Sequence, residues 1–242
     1  MPYRILRHKK KEYTYEVSDD GNDMSSWRVK TFYTKEPWTV DWIETMQKGD
    51  IFWDVGANIG LYTIFAGKTE CDSVFGFEPA FYNYNLLCRN TIHNRLQHKV
   101  TNYCVGLSNR NEVSKIYMPS IAKGSSGNQL HVKEKNKFKY KNTQGCMITT
   151  IDYLVDKYIP APTYLKVDVD GIEPFVMQGA VYTLEKVKTI CIETDTSNPA
   201  HNDCLEFIRS YGFKHDEGVR KKSMESRAGG HFANYAEFIF QR

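Results

Sequence analysis

The chain has 242 residues, enough to bury a core in one large domain without disulfide or metal staples. A hydrophobic share of 41%, a charged share of 25% and an aromatic share of 14% exclude a disordered chain. The formal net charge of +3 is too small to announce a nucleic-acid binder, and no window approaches the roughly 18 apolar residues of a membrane span.

The basic N-terminus, Arg4 to Lys11, runs into polar sequence where a signal peptide needs an apolar stretch, so a cytoplasmic location is expected. Cysteines at 71, 88, 104, 146, 191 and 204 form no Cys-x-x-Cys pair, and several sit inside apolar segments. They read as reduced, mostly buried thiols, with no zinc site and no disulfide framework.

Residues 1 to about 45 carry turn signals at Asp19-Asp20-Gly21-Asn22, then Trp38, Trp42, Ile43 and Met46 at helical spacing. This predicts an N-terminal cap packed by its tryptophans. From Asp50 short apolar runs alternate with amphipathic stretches: Ile51–Val55, a helix from about Ile59, Val74–Phe77, a helix across Tyr82–Ile92, and Val100–Val105. Such alternation means parallel strands joined by crossover helices. The stretch from about 109 to 149 breaks the rhythm with Gly124-Ser125-Ser126-Gly127-Asn128 and a lysine-rich run, Lys133 to Lys141. It reads as an insertion or flexible lid. The rhythm returns with a short helix opened by Thr150-Ile151-Asp152, a strand Tyr164–Val169, a helix across Glu173–Leu184, a strand Thr189–Glu193, a helix across Cys204–Ser210 and a closing strand Ala236–Phe240. One α/β domain over 46–242 is expected. The basic runs Lys133 to Lys141 and Arg220 to Arg227 read as solvated loops, with an anion-facing rim as the alternative.

The sharpest feature is Asp54-Val55-Gly56-Ala57-Asn58-Ile59-Gly60, a glycine turn after one strand, followed about two dozen residues on by Glu78 at the end of a second. Such a turn lets backbone approach a cofactor, and an acid at the second strand end binds ribose hydroxyls. Gly56, Ala57, Asn58, Gly60 and Pro79 are assigned to a cofactor, with Glu78 on its ribose and Asp54 on a positively charged or amine-bearing part. A dinucleotide site normally shows Gly-x-Gly-x-x-Gly and offers a helix N-terminus to pyrophosphate. Here an acid stands in front, which favours a zwitterionic nucleoside such as S-adenosylmethionine. A dinucleotide-binding module without enzymatic activity is the alternative.

The run Lys166-Val167-Asp168-Val169-Asp170-Gly171-Ile172-Glu173 puts four ionisable groups into an apolar strand end, which is costly unless they are paired or used. Alternation places Lys166, Asp168 and Asp170 on one face and predicts a Lys166–Asp168 ion pair. Glu173 suits a helix N-terminus, and its structural alternative is to cap that helix. Asp168 is the first choice for a general base, with Glu193 and His231 as reserves; Gly229-Gly230 gives the backbone freedom to place His231 over the cleft. His201 and His215 read as ordinary. One Asp-x-Asp pair is too little to assign a metal.

The chain resembles the FkbM-type S-adenosylmethionine-dependent methyltransferases. The resemblance rests on Lys35-Glu36-Pro37 with Trp42-Ile43, the turn at 54–60, Phe77-Glu78-Pro79, Asn90 with Asn94, Thr150-Ile151-Asp152, and Leu165 to Glu173 followed by Gly179-Ala180, in that order. It implies a Rossmann-like class I sheet of seven strands, mostly parallel with the last antiparallel, and helices on both faces. It also implies methyl transfer to oxygen, commonly a hydroxyl of a sugar, glycan or secondary metabolite. Asp54, Gly56, Asn58, Gly60 and Glu78 would then serve the cofactor, and Lys166, Asp168, Asp170 and Glu173 the acceptor side. Asp170 departs from the glutamate usual there. Methylation of nucleic acid or a nucleotide is the alternative within enzymes, but the chain lacks the Asn/Asp-Pro-Pro-Tyr run and any Pro-Cys nucleophile.

Overall fold

Short apolar runs separated by helices become neighbouring strands in the computed structural model, which describes residues 2–18, 23–130, 140–230 and 233–242. The turn at 19–22, nearly all of the lysine-rich run and His231 lie outside the described residues. The chain opens with a hairpin, β1 (Tyr3–His8) and β2 (Lys11–Glu16), then three short helices, α1 (Met24–Lys30), α2 (Phe32–Lys35) and α3 (Pro37–Glu44). The alternating core follows: β3 (Ile51–Val55), α4 (Leu61–Gly67), β4 (Ser73–Phe77), α5 (Phe81–His93) and β5 (Val100–Tyr103). Next come β6 (Gly106–Leu107), β7 (Glu112–Met118), β8 (Asn142–Thr149) and α6 (Ile151–Lys157). The C-terminal half holds β9 (Tyr164–Val167), α7 (Glu173–Gln178), β10 (Thr189–Asp195), α8 (Pro199–Ser210), β11 (Lys214–His215), α9 (Glu217–Arg227) and β12 (Tyr235–Gln241).

The main sheet has seven strands in the order β11-β12-β10-β9-β3-β4-β5. Strands β3, β4, β5, β9 and β10 pair in parallel, whereas β12 runs antiparallel to β10 and β11. This is the class I methyltransferase sheet that the family resemblance implied. Chain order reverses between β3 and β9, and a crevice opens at the carboxyl ends on either side of such a point.

Because both faces are covered, the central strands are apolar throughout and alternate residues enter different cores. Phe52 joins Trp42, Ile64, Phe65 and Val74 on one face; Trp53 joins Phe77, Leu165, Val176 and Ile190 on the other. The N-terminal helices close the first face, with the Trp42 indole N–H donating to Thr189 Oγ1 at 2.9 Å and that of Trp38 donating to the Glu237 carboxylate. Asn90 and Asn94 serve the fold: their amide oxygens accept the backbone N–H of Glu16 at 2.7 Å and Thr14 at 3.0 Å, fastening β2 to α5.

Strand β5 ends at Tyr103, two residues early, because the chain leaves the main sheet to pair β6 with β8. Strands β6, β8 and β7 form a second sheet with its own core, Ile116, Met118, Leu130, Cys146 and Ile148 against Tyr82 and Ile172. Helix α7 also stops early, at Gln178 rather than Leu184. A β-carbon on Gly179 would lie 2.1 Å from the Ser108 carbonyl oxygen, so the helix end is fixed by that contact. The Asp152 carboxylate then accepts the N–H groups of Tyr182 and Thr183 at 3.1 and 2.8 Å, starting a separate short turn. Four of the six cysteines are buried and all are free thiols. Among the described residues no helix is long and apolar enough to cross a membrane.

Candidate active site

A cavity of ≈ 320 Å³ opens at the carboxyl ends of the central strands. Its wall brings together Gly56, Asn58, Glu78 and Pro79 from the expected cofactor set, Asp170 from the expected acceptor side, and Asp168 and Glu193 from the candidate bases. Asp54, Ala57, Gly60, Lys166 and Glu173 are set back from that wall.

The glycine turn is built by its own chain. Gly56, Asn58 and Gly60 have φ of +86°, +50° and +85°, a region that glycine and asparagine enter most readily. A β-carbon at Gly56 would meet the Asp168 carbonyl oxygen at 1.9 Å, and one at Gly60 would meet Leu87 Cδ1 at 2.5 Å. The sequence predicts a ligand at those points; the close approach is to the residues just after β9 and to α5 instead.

Every amide of the turn is used internally. The N–H groups of Gly56 and Ala57 donate to the Phe77 carbonyl at 3.0 Å, and Gly60 N donates to Ala57 O at 2.8 Å. Asn58 N donates to Glu78 Oε2 at 2.8 Å, and Ile59 N to Asn58 Oδ1 at 2.9 Å. Glu78 also accepts Ala80 N at 2.9 Å, leaving part of its four-site acceptor capacity toward the cavity. Burial pushes the Glu78 carboxyl up to about 7. Asp54 is buried behind the turn, where Oδ2 accepts from Thr63 Oγ1 at 2.6 Å and Oδ1 has no hydrogen-bond partner among the described residues.

At the far end the sequence-predicted ion pair is present, Lys166 Nζ to Asp168 Oδ2 at 3.1 Å. Lys166 is itself buried and lies over the Tyr62 ring, 4.8 Å from its centroid. Burial pushes Asp168 up, but the charges of Lys166 and Lys35 outweigh it and hold the carboxyl well below the usual range. Glu193 differs: burial and then the Asp168 charge raise it to about 7, although Arg227 Nη2 stands 2.6 Å from its Oε1. Arg227 also reaches Glu36 at 3.5 Å, and Glu36 pairs with Lys35.

Asp170 sits at φ +58°, accepts Gly127 N at 2.7 Å, and is raised to about 6 by burial and Asp168. It therefore pins the loop at 124–130 over the cavity. Glu173 neither lines the cavity nor caps its helix: its Oε1 accepts Val169 N at 3.0 Å and Gly171 N at 3.2 Å in the loop before α7, beside buried His201.

The cavity wall also contains Trp27, Arg28, Lys35 and Arg227, to which the sequence assigned no role. Lys35 was visible inside Lys35-Glu36-Pro37, and Arg227 inside a basic run that reads as solvated. Trp27 and Arg28 carried no signal, because α1 reaches the cavity through the loop at 124–130. Arg28 Nε donates to Gly124 O at 2.7 Å, and Asn58 Nδ2 donates to Ser125 O at 3.0 Å.

A family model, the methyltransferase FkbM domain, matches residues 54–215, more than half of the chain and nearly all of the sheet that forms this site. The chain belongs to the FkbM methyltransferase family. This family uses S-adenosylmethionine. A hexuronic acid methyltransferase, AglP of Haloferax volcanii, is 27% identical to this FkbM chain over 169 residues, 69% of this chain and 65% of the relative. The chain thus spans less than two thirds of that relative. A methyltransferase FkbM from Methylobacillus flagellatus KT superposes with a TM-score of 0.51 at 14% identity, over 93% of this chain and 56% of that one. Fibrillarin from Aeropyrum pernix, solved with natively bound S-adenosyl-L-methionine, gives 0.51 at 11% identity over 99% and 82%. At these identities the structures establish the fold alone.

Proposed function

We propose that this FkbM chain transfers a methyl group from S-adenosylmethionine to a hydroxyl of a sugar or glycan. One observation carries the reading: a single cavity joins Glu78, beside a turn with no amide left over, to Asp168 and Glu193. The family match argues against the dinucleotide alternative, because the FkbM methyltransferases use S-adenosylmethionine. A nucleoside with an amino-acid tail needs a ribose acceptor and polar partners of both signs, and Glu78, Asn58 and the charged far end supply them. The sugar acceptor is supported by the relative named for hexuronic acid.

When bound, S-adenosylmethionine supplies an electrophilic methyl group on a cationic sulfur. A hydroxyl is a poor nucleophile while it keeps its proton, so the chain must provide a base in reach. We assign that role to Glu193, which faces the cavity and is poised near neutral pH. The sequence put Asp168 first, but a carboxylate held so far below its ordinary range accepts a proton poorly. Asp168 instead accepts a hydrogen bond from a neighbouring hydroxyl of the same sugar and so aims the reacting oxygen, whose own proton faces Glu193. As the hydroxyl oxygen bonds to the methyl, the methyl's bond to sulfur would break and leave S-adenosylhomocysteine, while the hydroxyl's proton passes to Glu193, whose carboxylate Arg227 fixes. His231, the other reserve, lies outside the described residues.

Titration calorimetry with S-adenosylhomocysteine and with NAD tests the cofactor, and binding of the first alone is expected. Labelled methyl transfer to a panel of free and glycan-borne sugars then tests the acceptor. A product stable to mild alkali supports an ether on a hydroxyl, whereas an alkali-labile methyl ester overturns the hydroxyl assignment.

A further inference from the structure

Among the cations of the cavity wall, Lys35 pairs with Glu36 and Arg227 with Glu193 and Glu36. Arg28 is different. Its Nε donates to the Gly124 carbonyl, and among the described residues no acid lies within ion-pair distance of its guanidinium. The acids whose carboxyls feel its charge have other partners: Asp168 has Lys166, Asp170 has the N–H of Gly127, and Glu78 has the N–H groups of Asn58 and Ala80. A guanidinium at a cavity wall whose terminal nitrogens have no hydrogen-bond partner among the described residues is shaped for a bidentate carboxylate.

The fork is also held in place. Gly124 has φ +82° and presses on α1, where a β-carbon would lie 2.6 Å from Ser25 N. Ser25 N in turn donates to Lys123 O at 3.1 Å. The loop and α1 are thus joined on both sides of the Arg28 anchor, and the side chain loses little freedom on binding. The preceding residue, Trp27, lies on the same cavity wall and stays 42% exposed, although a tryptophan of a folded chain is usually covered. An open indole is a platform for the apolar face of a sugar ring, and its neighbour supplies the charge.

We propose that Trp27 and Arg28 form the acceptor subsite and that the acceptor is an acidic sugar, whose carboxylate Arg28 holds while a hydroxyl of the same ring is methylated. The proposal rests on the methyl-transfer reading for its orientation, but the binding step is separable from turnover.

The test is calorimetric titration of the full chain, with and without S-adenosylhomocysteine, using methyl glucuronide and methyl glucoside as probes. The uronide is expected to bind at least tenfold more tightly. Arg28→Gln should abolish that preference while changing the affinity for S-adenosylhomocysteine less than twofold. Arg28→Lys, which keeps the stem and the charge, should retain part of the preference and guards against a folding failure. Trp27→Ala should weaken both sugars alike. Equal affinity for the two probes, no binding of either, or an unchanged preference in Arg28→Gln overturns the proposal. A tenfold loss of S-adenosylhomocysteine affinity in Arg28→Gln also overturns it, because the fork then serves the cofactor's own carboxylate. A chain that binds no S-adenosylhomocysteine yet prefers the uronide through Arg28 would sink the methyl-transfer reading and leave this one standing.

Discussion

Glu193 on β10 and Glu237 on β12 are register partners in an antiparallel pair, so two acids stand opposite each other inside a sheet. Like charges placed so are destabilising. They stay within 4.8 Å of each other but have different partners: Glu193 has Arg227, while Glu237 accepts from the Trp38 indole and from Thr39 Oγ1 at 3.3 Å. Burial, then Glu36 and Glu193, push the Glu237 carboxyl well above its ordinary value. Glu237→Gln should therefore change stability at neutral pH by less than about 1 kcal/mol, because an amide keeps the acceptor oxygen. The sign follows from linkage. A carboxyl raised in the folded state stabilises fully below its unfolded pKa and loses that contribution as pH rises through the folded value. Thermal melts should thus show the glutamine variant gaining on the wild type as pH increases.

The base assignment carries a kinetic consequence. Glu193 must be ionised to take a proton, so kcat/KM should rise with pH through about 7. Glu193→Gln should lower kcat by about 10²- to 10⁴-fold, the usual range for a lost general base. Asp168→Asn should also slow the reaction and, by removing the charge that helps raise Glu193, move the inflection below 7 without abolishing it. Arg227 lowers the Glu193 pKa, so Arg227→Gln should move the inflection to higher pH. A pH–rate profile for each variant decides the matter; an inflection lost in Asp168→Asn and kept in Glu193→Gln would exchange the two roles.

Glu173 predicts a pH dependence of stability unrelated to catalysis. Burial raises its carboxyl to about 8, although Val169 N and Gly171 N donate to it. Its proton stabilises the fold below the unfolded value of 4.5, and that contribution fades as pH rises toward 8. The wild-type melting temperature should fall between pH 5 and pH 8, and Glu173→Gln should flatten the fall. Equal slopes for the two proteins would show that Glu173 ionises without penalty.

The strands and the turn were legible because their signals are local. Ile51–Val55 and Val74–Phe77 are apolar runs, and the Lys166–Asp168 pair follows from strand alternation alone. Three things were not local. Gly56 is a glycine because Asp168, more than a hundred residues on, passes behind it. The end of α7 depends on Ser108, and the roof of the cavity depends on α1 meeting the loop at 124–130. Arg28 and Arg227 are unremarkable in sequence because a basic residue on a charged helix is usually solvated. Only the tertiary fold turns them inward.

Close packing at the turn can be separated from backbone strain by three glycines. A β-carbon at Gly56 meets both penalties, since its φ is +86° and the Asp168 carbonyl oxygen would be 1.9 Å away. Gly171 meets the first alone, with φ +106° and nothing within 4 Å, and Gly145 meets neither. A left-handed conformation costs a non-glycine residue about 1–2 kcal/mol, and overpacking adds about 1–3 kcal/mol. Urea unfolding should therefore rank the alanine variants, with Gly56→Ala losing about 2–5 kcal/mol, Gly171→Ala about 1–2 kcal/mol, and Gly145→Ala staying near neutral. Relief of the clash at Gly56 requires β3 and β9 to part where Glu78 and Asp168 meet the cavity. Gly56→Ala should accordingly lose S-adenosylhomocysteine affinity even where it remains folded, while Gly171→Ala keeps it; equal binding by both variants would place the tolerance of the turn above what this contact allows.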